Sequence, residues 1–212
     1  MLKYNGFYWG LFAPIMKKSI SERFGKDLAE TAIRKGKKEY RKLLAEADDL
    51  GKGNPMAMNA YFAYVFAGAW LGSGKKIKPD DMGLVMTDVL ESRFMRFVFG
   101  LTDINRQPKK WYNDMKKYDT WFKKNGEKYP VNWNVRFDNS KHRDGSYYYF
   151  TRCPICEFCK RKGISELMPA LCKTDDVMFR LQHGKLYRKH TIAGGDSVCD
   201  YWVVGDKLKN PK

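Results

Sequence analysis

A long apolar run able to cross a membrane is missing from this chain. Residues 53–74, GNPMAMNAYFAYVFAGAWLGSG, carry no charge, yet they are poor in Leu, Ile and Val and include Asn54, Asn59, Tyr61, Tyr64 and several glycines. The usable apolar stretch is about a dozen residues, too short for a span, so a buried helix and no membrane partner are expected. A secretory leader is not expected either. The opening MLKYNGFYWGLFAPIMKKS has an early lysine, but its aromatics, Pro14 and the lack of a small-residue cleavage site argue against a signal peptide. An apolar N-terminal helix or staple is expected there. Cysteine is sparse and odd in number, five in all, with four of them inside twenty residues. That excludes a paired disulfide framework and points to a reduced, cytoplasmic chain. Acids are scarce as well, 24 against 40 Lys and Arg, for a formal net charge of +16. The excess suggests anionic partners in general, but it is spread along the whole chain and interrupted by acids, so nucleic acid is not the expected partner.

What is present is the material of a folded protein: 212 residues, 43% of them apolar, enough to bury a core. From Ser19 to Leu50 the positions Phe24, Leu28, Ile33, Tyr40, Leu43, Leu44 and Ala47 recur at helical spacing, predicting one amphipathic helix or two, closed by Gly51 and Gly53. The uncharged helix follows. KPDDMGLVMTDVLESRFMRFVFG opens with Pro79 and two aspartates, which suit a helix N-terminus, and predicts a third helix to about Phe99. In QPKKWYNDMKKYDTWFKKNGEKYP, Trp111, Met115, Tyr118 and Phe122 share a face, with lysine pairs opposite. Base stacking would suit that texture, but lysine stems flanking a buried helix face explain it better.

After Pro130 the texture changes. VNWNVRF and SYYYFTR alternate around the turn DNSKHRDG and predict a hairpin. Two short helices follow, one through the cysteines to Lys162 and one from about Ser165 or Thr174 to Gln182, with Gly163 and Gly184 as stops. GKLYRKHTI and SVCDYWVVG, joined by AGGD, predict a second hairpin. The expected fold is α+β: an N-terminal helical half, residues 1–128, followed by a β-β-α-α-β-β antiparallel-sheet domain, residues 129–212.

The stretch YYYFTRCPICEFCKRKG concentrates the chemistry. With Cys172 thirteen residues further on, Cys153, Cys156, Cys159 and Cys172 offer four sulfurs to zinc or an iron-sulfur cluster. The segment from Cys156 to Arg161 reads as helix rather than knuckle, so no cofactor is expected. CPIC places Pro154 at the first helical position and Cys153 at the exposed N-terminal end, where the helix dipole lowers a thiol pKa. The β-α-β context of a thioredoxin-like motif is absent. Cys156 and Cys159 read most simply as small buried residues.

Taken across the chain, TRCPICEF, the later G, EL, C and D, and then R-x-H-T, GGD and CDY resemble the L-2-amino-thiazoline-4-carboxylic acid hydrolase family, a bacterial group. The likeness runs from about residue 19 to 204 through RFGKDLAETAIRKGKKEYRKLLAE, GNPMAMN and KPDDMGLVMTDVL. The close formed by Gly195, Asp196, Cys199 and Tyr201 is also similar to that of 4-vinyl reductase domains, which are ligand-binding α+β modules. Arg152, Cys153, Glu157, Cys172, Asp175 and Cys199 fit the hydrolase pattern. Cys156 and Cys159 are extras, and Tyr201 stands where phenylalanine is usual.

The resemblance implies a small carboxylated substrate whose 2-aminothiazoline ring is opened by water to an N-carbamoyl amino acid. Water attack wants a carboxylate base or a cysteine that attacks first, and the substrate carboxylate wants a cation. Cys153 is the candidate nucleophile or polarised thiol, with Glu157 one turn on. Cys172 and Asp175 lie three apart, although Asp175 or Asp176 equally suits a helix N-cap. Arg152 could clamp a carboxylate bidentately. Arg188 and His190 share a strand face by period two, and Cys199 falls on the last strand. The competing reading is a non-catalytic small-ligand- or metal-binding module built on the same pocket.

Overall fold

The structure, a computed structural model, describes residues 2–138 and 140–212. The apolar opening stretch forms helix α1 (Gly6–Phe24), which starts where the Asn5 side chain accepts the Phe7 N–H at 2.9 Å. It buries Trp9, Phe12, Met16 and Ile20. The periodic stretch expected after Ser19 divides here: α1 stops at Gly25, which holds φ at 90°, and α2 (Lys26–Glu46) starts afresh. A positive φ suits glycine, so the backbone breaks where the side-chain periodicity does not.

The uncharged stretch forms α3 (Ala57–Gly72), buried on most of its circumference. Among the described residues no helix is long and apolar enough to cross a membrane. α3 crosses α2 closely because small residues face each other. A Cβ on Gly72 would lie 2.3 Å from both the Gly36 nitrogen and the Ala32 carbonyl oxygen. The third helix expected to reach Phe99 is also two: α4 (Pro79–Leu90) and α5 (Arg93–Gly100). Ser92 separates them, with extended ψ and its hydroxyl accepting the Met95 N–H. α6 (Lys110–Asn125) buries Met115 and Tyr118, while Lys110, Lys117 and Lys123 pair with acids of the same helix.

The β-β-α-α-β-β order holds. Strands β1 (Asn134–Arg136) and β2 (Ser146–Arg152) precede α7 (Pro154–Arg161) and α8 (Met168–Leu181), and β3 (Gly184–Tyr187) and β4 (Cys199–Gly205) follow. The sheet is antiparallel in the order β1-β2-β4-β3. The link from β3 to β4 is longer than the expected AGGD turn: it leaves the sheet after Tyr187 and passes through a short 3-10 turn, Ile192–Gly194.

Directly paired residues share a sheet face. Tyr148 opposite Tyr201 and Phe150 opposite Cys199 therefore point to the helices, and Tyr147 opposite Trp202 points away. One continuous hydrophobic core takes residues from α1 through β4. Within it Asn54 donates to Asn132 Oδ1 at 2.7 Å, so the helices and the approach to β1 are joined by a satisfied buried amide pair.

Candidate active site

The candidate side chains are placed by element ends. β2 runs out at Arg152, and Pro154 opens α7, which leaves Cys153 as the extended residue before the helix (φ −130°, ψ 109°). α8 presents Cys172 and Asp175 at a spacing of three on one side. β4 contributes Cys199 and, two residues on, Tyr201 on the same face. Arg188 follows the last residue of β3.

These groups meet against the helix-facing side of the sheet. Arg188 Nη1 donates to Asp175 Oδ2 at 2.8 Å, and the Tyr201 hydroxyl donates to the same oxygen at 2.8 Å. Arg188 Nη2 donates to the Cys172 carbonyl at 2.8 Å. Its side chain is only 9% exposed, against 29% for Asp175. Tyr201 lies flat against Tyr148, ring centroids 5.3 Å apart, with Phe150 at its edge. The Ile192 N–H donates to Cys199 Sγ at 3.1 Å. The Cys153 thiol is within electrostatic reach of Cys172 and Cys199, and both of these in turn of Asp175 and Arg188.

Burial sets the protonation states. It pushes the Cys153 thiol far up and outweighs the pull of the Cys156 N–H. It pushes Cys172 up to about 12, with Asp175 adding to the effect, and it raises Cys199 as well. Against the lowered Cys153 pKa expected from the helix dipole, the thiol is packed against the core, where desolvation disfavours a thiolate and raises it. Asp175 is raised by burial, against the opposing charge of Arg188 and the Tyr201 hydrogen bond. Burial works against the Arg188 charge too, but Asp175 and Tyr201 overcome it and the guanidinium stays protonated.

Other sequence expectations are redistributed. Glu157 does follow Cys153 by one turn, but its carboxylate is taken bidentately by Arg152, Nε at 2.7 Å and Nη2 at 2.9 Å. The arginine expected to clamp a substrate and the glutamate expected to act on it therefore occupy each other at the rim, where Arg152 Nη1 also donates to the Pro130 carbonyl. Asp175 and Asp176 are interior residues of α8, whose helix begins at Met168, so neither is an N-cap. Arg188 and His190 do not share a strand face, because β3 has ended before them. Arg188 turns inward, whereas His190 is 54% exposed beside Asp196.

Cys159 is fully buried and Cys156 half-buried. The alternative ligand set Cys153, Cys156, Cys159 and Cys172 is not assembled: among the described residues no group of three or more His, Cys, Asp or Glu side chains is placed to hold a metal ion. Tyr201, noted in the sequence only as a departure from phenylalanine, is the partner that sequence reasoning did not assign. Its role depends on a register and a helix approach that no local pattern announces.

An α+β protein with thiols, a carboxylate and a guanidinium gathered between sheet and helix is what fold and site define. The sequence profile of L-2-amino-thiazoline-4-carboxylic acid hydrolase matches residues 58–203, and the chain belongs to that family. The match begins inside α3, so α1 and α2, which carry the first part of the sequence resemblance, lie outside it. No curated protein and no solved structure matches the chain significantly, and the likeness to 4-vinyl reductase domains gains no support.

Proposed function

We propose that the protein is a hydrolase that opens a small carboxylated heterocycle of the 2-aminothiazoline-4-carboxylate type to an N-carbamoyl amino acid. The observation that carries this reading is the meeting of Asp175, Arg188 and Tyr201 with three thiols in a chain of this family. In the proposed reaction water adds to the ring carbon between nitrogen and sulfur, with Asp175 taking its proton. Both short bonds to Asp175 end on Oδ2, which leaves Oδ1 to act. The carbon-sulfur bond then breaks, the sulfur leaves with the electron pair and is protonated, and the product carries a free thiol.

Neutral thiols favour a carboxylate base over a cysteine that attacks first, since a nucleophilic cysteine works as thiolate. Cys153, Cys172 and Cys199 then serve as the soft, weakly polar lining beside the substrate's sulfur. Arg188 is the cation that meets the substrate carboxylate while keeping Asp175 in reach. Glu157 and Arg152 hold the β2-to-α7 corner.

The test is incubation with 2-aminothiazoline-4-carboxylate, following free thiol with a chromogenic disulfide and product mass. Release of one thiol per substrate, lost in Asp175→Asn and retained in Glu157→Gln, supports the assignment. Turnover that persists in Asp175→Asn removes it.

A further inference from the structure

The sheet face turned away from the thiols holds a cleft of about 550 Å3. Its floor is aromatic because the period-two alternation that sends Tyr148 and Tyr201 inward sends Tyr147, Tyr149 and Trp202 outward. Tyr187, on the edge strand β3 and 41% exposed, stands opposite Trp202 with its ring 5.0 Å away. The loop between β1 and β2 lays the His142 imidazole flat on the Trp202 indole, centroids 3.8 Å apart at 18°. A planar, nitrogen-bearing ring thus already stacks in the cleft, supplied by the chain itself.

The polar groups facing the cleft select the sign of a ligand. Lys141 and Lys189 line it, and His190 beside them is matched to Asp196 at 3.4 Å. Asp200 also lines it, but its carboxylate is spent on the backbone N–H groups of Lys189 and His190, at 3.1 and 2.7 Å. What the cleft offers outward is therefore stacking surface and two lysine ammonium groups, against a single lining carboxylate that is held by backbone N–H groups. An aliphatic anion would leave the rings unused, and a cation would meet the lysines.

We propose that this cleft binds a nucleobase together with its phosphate, the base stacked on the exposed Tyr187 ring beside the His142–Trp202 stack and the phosphate met by Lys141 and Lys189. Aromatic rings accept any base by its π face, and nearby cations take the phosphate. The same chemistry is offered by a free mononucleotide and by an unpaired nucleotide in a single strand. A duplex hides its base faces and is excluded. The cleft and the thiol site lie on opposite faces of the sheet, so this inference stands apart from the hydrolase reading.

The test uses the full chain, with adenosine monophosphate titrated by calorimetry and a fluorescein-labelled octathymidylate followed by anisotropy, alongside a duplex of the same length. Tyr187→Ala and Lys189→Glu are the variants, with folding checked by circular dichroism. Trp202 is left alone because its Nε1 donates to the Asp144 carbonyl at 2.9 Å and helps hold the loop. Each variant should weaken binding about tenfold. Saturable binding of the mononucleotide as tight as that of the oligomer identifies a nucleotide site, and markedly tighter oligomer binding identifies a strand site. Absence of binding to both, equal binding of the duplex, or affinity untouched by either variant overturns the proposal.

Discussion

Tyr201 donates its phenolic proton to Asp175 Oδ2 at 2.8 Å, although the two residues are separated by 26 positions and belong to the last strand and the preceding helix. The bond lowers the Asp175 pKa against the burial that raises it. Tyr201→Phe, which removes only the hydroxyl, should keep the fold, cost about 1 kcal/mol and raise the Asp175 pKa further. If Asp175 is the base, activity appears as pH rises through that pKa, so the acid limb of the rate profile should move to higher pH. A limb that stays in place or moves down argues against Asp175 as the titrating group.

Asp175→Asn removes the only acid among the described residues within 3 Å of Arg188. Hydrolysis should fall by a factor of about 100 or more. Glu157→Gln, by contrast, disturbs a half-exposed pair and should change turnover by less than about threefold, with at most about 1 kcal/mol lost. The ratio of the two effects, measured under one set of conditions, checks the placement of the base.

The thiols should be slow. With Cys153, Cys159, Cys172 and Cys199 all raised by burial, iodoacetamide at neutral pH should label the native protein far more slowly than the same protein in guanidinium, with half-buried Cys156 reacting first. Rapid native labelling of Cys153, located by peptide mass, would contradict a neutral, packed thiol.

Glu91 links α4 to α8 and α5 through Arg180 and Arg96. The Arg180 hydrogen bond holds its carboxyl below the usual glutamate value. The folded pKa is depressed, so the stabilisation is present above the unfolded pKa and is lost as pH falls through the folded one. Glu91 is 27% exposed, and Glu91→Gln should therefore cost only about 0.5–1 kcal/mol at neutral pH. That difference from wild type should vanish in acid, as read from urea melts at two pH values.

Gly72→Ala forces a methyl into the backbone of α2 and should destabilise by about 3 kcal/mol. Gly10→Ala, with nothing within 4 Å of the new Cβ, should instead stabilise α1 by about 0.5–1 kcal/mol. A melting temperature of Gly72→Ala at or above that of the wild type would refute the close crossing of α2 and α3.

Local patterns made much of this protein legible. Alternation in SYYYFTR, the Pro79-Asp-Asp start of α4 and the lysine-flanked apolar face of α6 each depend on neighbours in sequence, and each element starts as read, although the helix from Pro79 ends at Leu90 rather than near Phe99. The break at Gly25 was less visible, because apolar spacing continues across it while the backbone takes a positive φ. Arg188 and His190 misled for a similar reason: period two assigns a face only while the strand lasts, and β3 ends one residue earlier.

By itself the sequence determined the element types, the antiparallel α+β class, the family and the residue kinds available for chemistry, since these follow from periodicity, turn residues and motif spacing. Tertiary structure alone decided which acid meets which cation. Arg152 and Arg188 are both arginines near a carboxylate in the chain, yet one closes on Glu157 at the rim and the other on Asp175 beneath the sheet. Burial, which arises only when distant segments pack together, then raised the pKa of the thiols and of Asp175 alike.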